Sequence, residues 1–133
     1  MEVDFMKKAY GILYEIENLL RYSIEDTMSK EYGNDWFLKA PLTMKYQLYK
    51  KSFSSFYYHE LISLIKGYPC FTTKFNSSAI IQLQETIPIR NKIAHCKALT
   101  QEEYDKLEVA HYATKMSVLS EVIIKLKNKM VYI

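Results

Sequence analysis

Apolar residues recur at spacings of three and four along most of the chain, and strict apolar–polar alternation is almost absent. That period places them on one face of a helix rather than on one face of a strand. From Asp4 to about Tyr32, such a face is formed by Phe5, Ile12, Leu13, Ile16, Leu19, Leu20 and Ile24. Glu17 and Arg21, four apart, can pair along this helix. Gly33 is placed to end it in a left-handed conformation, and Asn34-Asp35-Trp36-Phe37 reads as a turn with an anchoring aromatic pair. Pro41 suits a helix start. Beyond it, Met44, Leu48 and Tyr49 continue a weak face, and Phe53, Phe56, Tyr57, Leu61, Leu64 and Ile65 give a stronger one. This stretch predicts one interrupted helix or two short ones, closed at Gly67-Tyr68-Pro69, with Cys70 to Asn76 as a loop.

Ser77 or Ser78 is expected to cap a further helix that runs through Ile80, Ile81 and Leu83 towards His95. Pro88 removes one backbone donor inside it, so the helix should kink or break near Thr86, just before Arg90. Thr100-Gln101-Glu102-Glu103 is a capping box for the last helix. That helix carries Tyr104, Leu107, Ala110, His111, Thr114, Val118, Leu119, Val122 and Leu126 on one face, and only Met130-Val131-Tyr132-Ile133 is strand-like. The expected architecture is a single all-α domain over residues 1–133, an up-and-down bundle of four or five helices.

Composition changes this picture little. A chain of 133 residues is one domain with room for a sizeable core. Hydrophobic residues make up 49% and charged residues 25%, as in ordinary globular proteins. The 12 tyrosines and 6 phenylalanines predict a core rich in rings. A net charge of +3 permits an acidic partner such as RNA without demanding one. Cys70 and Cys96 are too few for a zinc knuckle or a disulfide framework and read as reduced thiols. Met1-Glu2-Val3-Asp4 lacks the basic start and apolar run of a signal peptide, and no apolar stretch approaches the ~20 residues of a membrane span. The expectation is a cytoplasmic chain with no membrane partner.

The candidate chemistry lies in Arg90-Asn91-Lys92-Ile93-Ala94-His95. Only two of the 18 basic residues, Arg21 and Arg90, are arginines. Where lysine is the default cation, an arginine points to a site that needs the planar fork, which grips phosphate through two parallel hydrogen bonds. A histidine nearby brings a side chain that ordinarily exchanges its proton near neutral pH. Together they suggest work on a phosphodiester.

Arg90-Asn91, three residues, then His95 resembles the signature of the HEPN superfamily, the helical domains of many prokaryotic toxins and anti-phage ribonucleases. Glu17-Asn18-Leu19-Leu20-Arg21 followed by Tyr32-Gly33-Asn34-Asp35-Trp36 is similar to the first helix and turn of one HEPN branch. Ile93-Ala94-His95 leading into Leu99-Thr100 resembles the usual exit from the motif. The resemblance implies a HEPN-like bundle, RNA as substrate, no cofactor, and a homodimer in which both copies of the motif line one cleft. It further implies a toxin or an antiviral defence effector, with an antitoxin or another regulatory protein as partner. A subgroup of the family carries a modifiable tyrosine two residues after the histidine. Here that position is Lys97, so the resemblance does not extend to that form of control.

RNA cleaves itself when its 2′-hydroxyl loses a proton and attacks the adjacent phosphorus. His95 can accept that proton, Arg90 can neutralise the crowded phosphorane, and Asn91 can hold the imidazole or a phosphate oxygen. Glu17 and Arg21 are candidate supports, and Lys92 and Lys97 candidate contacts to RNA phosphates. On an ideal helix Asn91 and His95 share a face, whereas Arg90 and His95 point roughly 140° apart, which one helix does not reconcile. The expected activity is a metal-independent endoribonuclease that leaves a 2′,3′-cyclic phosphate. The alternatives are a non-catalytic HEPN scaffold that binds a nucleotide or a partner protein, and a plain helical bundle in which Arg90 and His95 serve a helix end.

Other motifs read as structure. Glu108-Val109-Ala110-His111 has the Glu-x-x-His spacing of di-iron bundles, but such a site needs two of these motifs and the chain has one. Lys45 to Phe53 interleaves cations with aromatics, which fits an amphipathic helix with snorkelling lysines better than a single-strand binder. Lys125, Lys127 and Lys129 read as a solvated edge. Phosphate-cradling glycine loops, His-Glu-x-x-His and a serine-hydrolase elbow are missing from the sequence.

Overall fold

A computed structural model describes the backbone of residues 2–131 and the side chains of residues 2–119. Six α-helices follow in chain order: α1 (Glu2–Tyr32), α2 (Trp36–Thr43), α3 (Tyr58–Gly67), α4 (Ser77–Glu85), α5 (Ile87–Ala94) and α6 (Gln101–Val131). Short 3-10 turns at Phe53–Ser55 and Pro69–Phe71 precede and follow α3. Among the described residues there is no strand, and the fold is an all-α bundle. Counting α4 and α5 as two halves of one broken run gives five helices. Among the described residues, no helix is long and apolar enough to cross a membrane.

The two longest helices, α1 and α6, form the spine and pack along each other. Ala9, Leu13, Ile16, Leu20, Ile24 and Met28 are the buried row of α1. Leu107, Ala110, Thr114 and Val118 are the matching row of α6. These rows repeat every three or four residues, which is why α1 buries one face and keeps Tyr10, Tyr14 and Tyr22 in solvent. Gly33 adopts φ 91° and its N–H bonds to the Ser29 carbonyl at 2.8 Å, so the left-handed residue does end α1. The Thr100–Glu103 capping box opens α6, with Thr100 N–H to Glu103 at 2.9 Å and Glu103 N–H to the Thr100 hydroxyl at 3.1 Å.

Five expectations need correction. Trp36 and Phe37 begin α2 rather than form a turn, and Pro41 lies inside that helix instead of opening it. Tertiary packing overrides the local signal: the Trp36 ring sits edge-on to Phe37 and to Phe53, each at 5.3 Å. Lys45 to Ser52 is not helical. Lys45 turns to φ 58°, and two tyrosines pin the chain that follows, Tyr46 donating to the Gly67 carbonyl at 2.6 Å and Tyr49 meeting the Tyr68 hydroxyl at 2.7 Å. The cap of α4 is Asn76, whose side chain accepts from Ala79 N–H at 2.8 Å, not Ser77 or Ser78. The strand-like end instead continues α6 through Val131. Tyr132 and Ile133 lie outside the described residues, as do the side chains of Val122, Lys125, Leu126, Lys127 and Lys129.

His111 packs between α6 and α1. Its Nε2 lies 3.0 Å from a Glu15 carboxylate oxygen, close enough for an ion pair but not aligned for a hydrogen bond. Burial lowers its pKa and Lys115 lowers it further, against the pull of Glu15 and Glu108.

The irregular segment before α3 is held by Arg21. Its guanidinium donates to the Phe53 carbonyl at 3.2 Å and the Phe56 carbonyl at 2.7 Å, and lies 5.8 Å from the Phe53 ring centre. Glu17 stands 3.8 Å away on the helix. A charged donor bonded to two carbonyls of a loop contributes more than a surface ion pair. Arg21→Ala is therefore expected to lower the unfolding free energy by about 1.5–3 kcal/mol, measured by urea denaturation. A loss below about 0.5 kcal/mol would show that the loop is held by its aromatic contacts alone.

Candidate functional site

The candidate site begins at the joint between α4 and α5. Pro88 occupies the second position of α5, where its missing N–H costs least. The ladder restarts at Thr86, which is fully buried. Its N–H bonds to the Leu83 carbonyl at 3.0 Å, and its own carbonyl accepts from Arg90 N–H at 2.8 Å. The Thr86 hydroxyl donates to the Leu83 carbonyl at 2.6 Å and accepts from Tyr58 of α3, 2.7 Å away. Burial pushes the Tyr58 phenol up to about 12, with Glu17 adding to the shift and Arg90 opposing it. Tyr58 is thus a protonated donor at any physiological pH.

From this joint α5 lays Ile89 into the core and Arg90 against α1. A cavity of about 320 Å³ lies between the two helices, lined by Tyr10, Leu13, Tyr14 and Glu17 of α1 and by Arg90, Ile93 and Ala94 of α5. Leu13 is buried, while Tyr10 and Tyr14 are 60% and 62% exposed. The half-buried Arg90 guanidinium has no hydrogen-bond or ion-pair partner among the described residues. The Glu17 carboxylate accepts no hydrogen bond among them either, its nearest cation being Arg21 Nε at 3.8 Å. A cation and an anion therefore share one cavity, Arg90 without a partner among the described residues and Glu17 paired with Arg21 alone, at 3.8 Å.

His95 is the C-cap of α5 and is exposed. The helix stops in a Schellman turn: Cys96 N–H bonds to the Ile93 carbonyl at 3.1 Å and Lys97 N–H to the Lys92 carbonyl at 2.8 Å. The left-handed position, φ 56°, is held by Cys96 and not by glycine. A side chain there is uncommon and costs about 1–2 kcal/mol, a strain of the kind that collects at functional sites. The His95 imidazole and the Asn91 amide have no side-chain partner among the described residues. His95 does not line the cavity that holds Arg90. Lys92 is engaged, its Nζ 2.8 Å from Glu103, and this pair ties α5 to the start of α6. Lys97 is exposed and lines an adjoining apolar groove of about 540 Å³ with Val3, Met6, Tyr10, Ile93 and Cys96.

Of the residues singled out in the sequence, the fold brings Arg90 and Glu17 to one cavity and gives the side chains of Asn91, His95 and Lys97 no partner among the described residues. It commits Arg21 to the loop carbonyls and Lys92 to Glu103. Tyr10, Tyr14, Tyr58 and Thr86 carry parts of the site that sequence reasoning missed. Tyr10, Tyr14 and Glu17 do recur at four and three, but one position out of phase with Ala9, Leu13 and Ile16, so they merge with the core stripe. Among the described residues no three histidine, cysteine, aspartate or glutamate side chains come together as a metal-binding group. Comparison with protein-family models, curated proteins and solved structures finds no match to the chain.

The Lys92–Glu103 pair has a pH signature. Lys92, then the Thr100 N–H, hold the Glu103 carboxyl below its ordinary 4.5. The folded chain therefore binds that proton less readily than the unfolded chain. The pair's contribution is complete above pH 4.5 and is lost as the pH falls through the lower folded value. In urea titrations at a series of pH values, Glu103→Gln should be less stable than the parent at pH 7, with the gap closing as the pH falls below 4.5 and through the lower folded value. A gap that does not change with pH would show that the carboxylate charge contributes nothing.

Proposed function

We propose that this chain is a metal-independent endoribonuclease of HEPN type, which works as a homodimer with Arg90 and His95 at its active site. The observation that carries the proposal is a half-buried Arg90 five residues before His95 at a left-handed helix end, both side chains without a partner among the described residues. In the reaction, the 2′-hydroxyl gives its proton to His95 and its oxygen bonds to phosphorus. Arg90 stabilises the charge that builds on the phosphorane oxygens. The 5′-oxygen leaves with the proton that His95 took, which returns the imidazole to its neutral form. The products are a 2′,3′-cyclic phosphate and a 5′-hydroxyl. Asn91, one turn before His95, holds the imidazole or a phosphate oxygen, and Lys97 meets a flanking phosphate.

One protomer does not place His95 in the cavity of Arg90. In the proposed dimer, Arg90 of one copy works with His95 of the other. The apolar groove beside the motif, with Val3 67% exposed, supports an association on this side of the bundle. The expected biology is a toxin or an antiviral defence effector held in check by an antitoxin or other regulatory protein. The second reading is a non-catalytic HEPN scaffold that binds a nucleotide, favoured by the small, separate cavity of Arg90 and by the neutralised Lys92.

His95→Ala is expected to cut the cleavage rate about 10²- to 10⁴-fold, and Arg90→Ala about 10²- to 10³-fold, with circular dichroism unchanged. Arg90→Lys keeps the charge, loses the fork and should rescue little. Cleavage by the parent should survive excess chelator, and a DNA strand of the same sequence should stay intact because it lacks the attacking hydroxyl. RNA cut by His95→Ala at the parental rate would leave the scaffold reading.

A further inference from the structure

We infer that the cavity between α1 and α5 is a nucleobase subsite that selects guanine beside the phosphate held by Arg90, an inference that rests on the ribonuclease reading above. Its volume of about 320 Å³ lies at the small end of ligand pockets, which suits one nucleotide. Its chemistry is two-sided. Arg90 offers a planar fork, without a partner among the described residues, for a phosphate oxygen pair. Glu17 offers a carboxylate that has Arg21 Nε at 3.8 Å but accepts no hydrogen bond within the described residues, which leaves it open to donors. A nucleotide supplies both an anion and a donor edge.

Among the four bases, guanine matches best. Its N1–H and N2–H₂ are adjacent parallel donors, the pattern that a carboxylate accepts with both oxygens. Adenine and cytosine set a single amino donor beside a ring-nitrogen acceptor, and uracil flanks its N3–H with two carbonyl oxygens that repel a carboxylate. Proteins that read unpaired RNA combine such Watson–Crick edge bonds with stacking on an aromatic ring. Tyr14 supplies the ring: it is 62% exposed, lines the cavity, and lies three residues before Glu17 on the same helix face. Tyr10, one turn earlier, lines both this cavity and the adjoining groove and continues the surface towards the next nucleotide. Leu13 and Ile93 supply an apolar floor and wall for the base.

The test is calorimetric titration of the intact protein with the four nucleoside 3′-monophosphates and with inorganic phosphate. The guanosine nucleotide should bind at least tenfold more tightly than the other three, and phosphate alone more weakly than any of them. Glu17→Gln should level the four affinities. Tyr14→Ala should weaken all of them by roughly 5- to 150-fold, the value of one stacked base, and Tyr14→Phe should restore them. Nucleotides that bind no more tightly than phosphate, or four equal affinities in the parent protein, would overturn the subsite without any variant. Guanosine-selective binding by a chain that cuts no RNA would support the subsite and overturn only the nuclease reading. Cleavage of RNA with base-indifferent binding would do the reverse.

Discussion

Pro88 has no amide hydrogen, so a straight helix from Ser77 to Ala94 would leave one rung of its ladder open. The chain answers by stopping at Glu85, pivoting on Thr86 and starting again at Ile87. All four polar roles of Thr86 are filled at the pivot: its N–H and hydroxyl both donate to the Leu83 carbonyl, its oxygen takes the Tyr58 phenol, and its carbonyl takes Arg90 N–H. With no water to substitute at a fully buried residue, each of these bonds is expensive to lose. The joint is therefore stiff. It sets the direction of α5, and with it the placement of Arg90 beside α1 and of His95 at the free end.

The two arginines show how one residue type is spent in two ways. Arg21 has both terminal nitrogens on loop carbonyls and an aromatic ring beside it, so its fork is consumed in holding the aromatic segment before α3. Arg90 is half-buried on the same side of α1, within electrostatic reach of the Tyr58 phenol, yet has no hydrogen-bond or ion-pair partner among the described residues. Its cavity also holds the Glu17 carboxylate, which is paired along its own helix with Arg21 at 3.8 Å. An arginine without such a partner among the described residues, beside a cavity and five residues before His95, is what marks this corner of the bundle; the left-handed Cys96 has a counterpart in Lys45.

The long helices were legible because their signal is long. Thirty-odd residues of three-and-four spacing outvote any local exception, and Gly33 and the Thr100–Glu103 box mark their ends chemically. The break at Thr86 was legible because a proline's missing donor acts locally. The middle was not, since Trp36, Tyr46 and Tyr49 take their conformations from partners far along the chain, such as Phe53, Gly67 and Tyr68. The motif residues Arg90, Asn91 and His95 could be named from spacing, and so could Glu17. Their states of pairing could not: only packing reveals that Lys92 is tied to Glu103, that Arg21 is spent and that Arg90 has no partner among the described residues. Tyr14 escaped notice because exposure at the edge of an apolar stripe has no sequence signal of its own.

The proposed activity turns on two side chains that the bundle holds apart within one chain and that a second copy would bring together. Mixing Arg90→Ala and His95→Ala chains, each inactive alone, tests this directly after they have been unfolded and refolded together. Half of the dimers formed would hold one intact pairing, with Arg90 from one chain and His95 from the other, so the account predicts that RNA cleavage with a 2′,3′-cyclic phosphate end returns. A mixture as inactive as its two parents, beside a wild-type chain that cleaves, would contradict it.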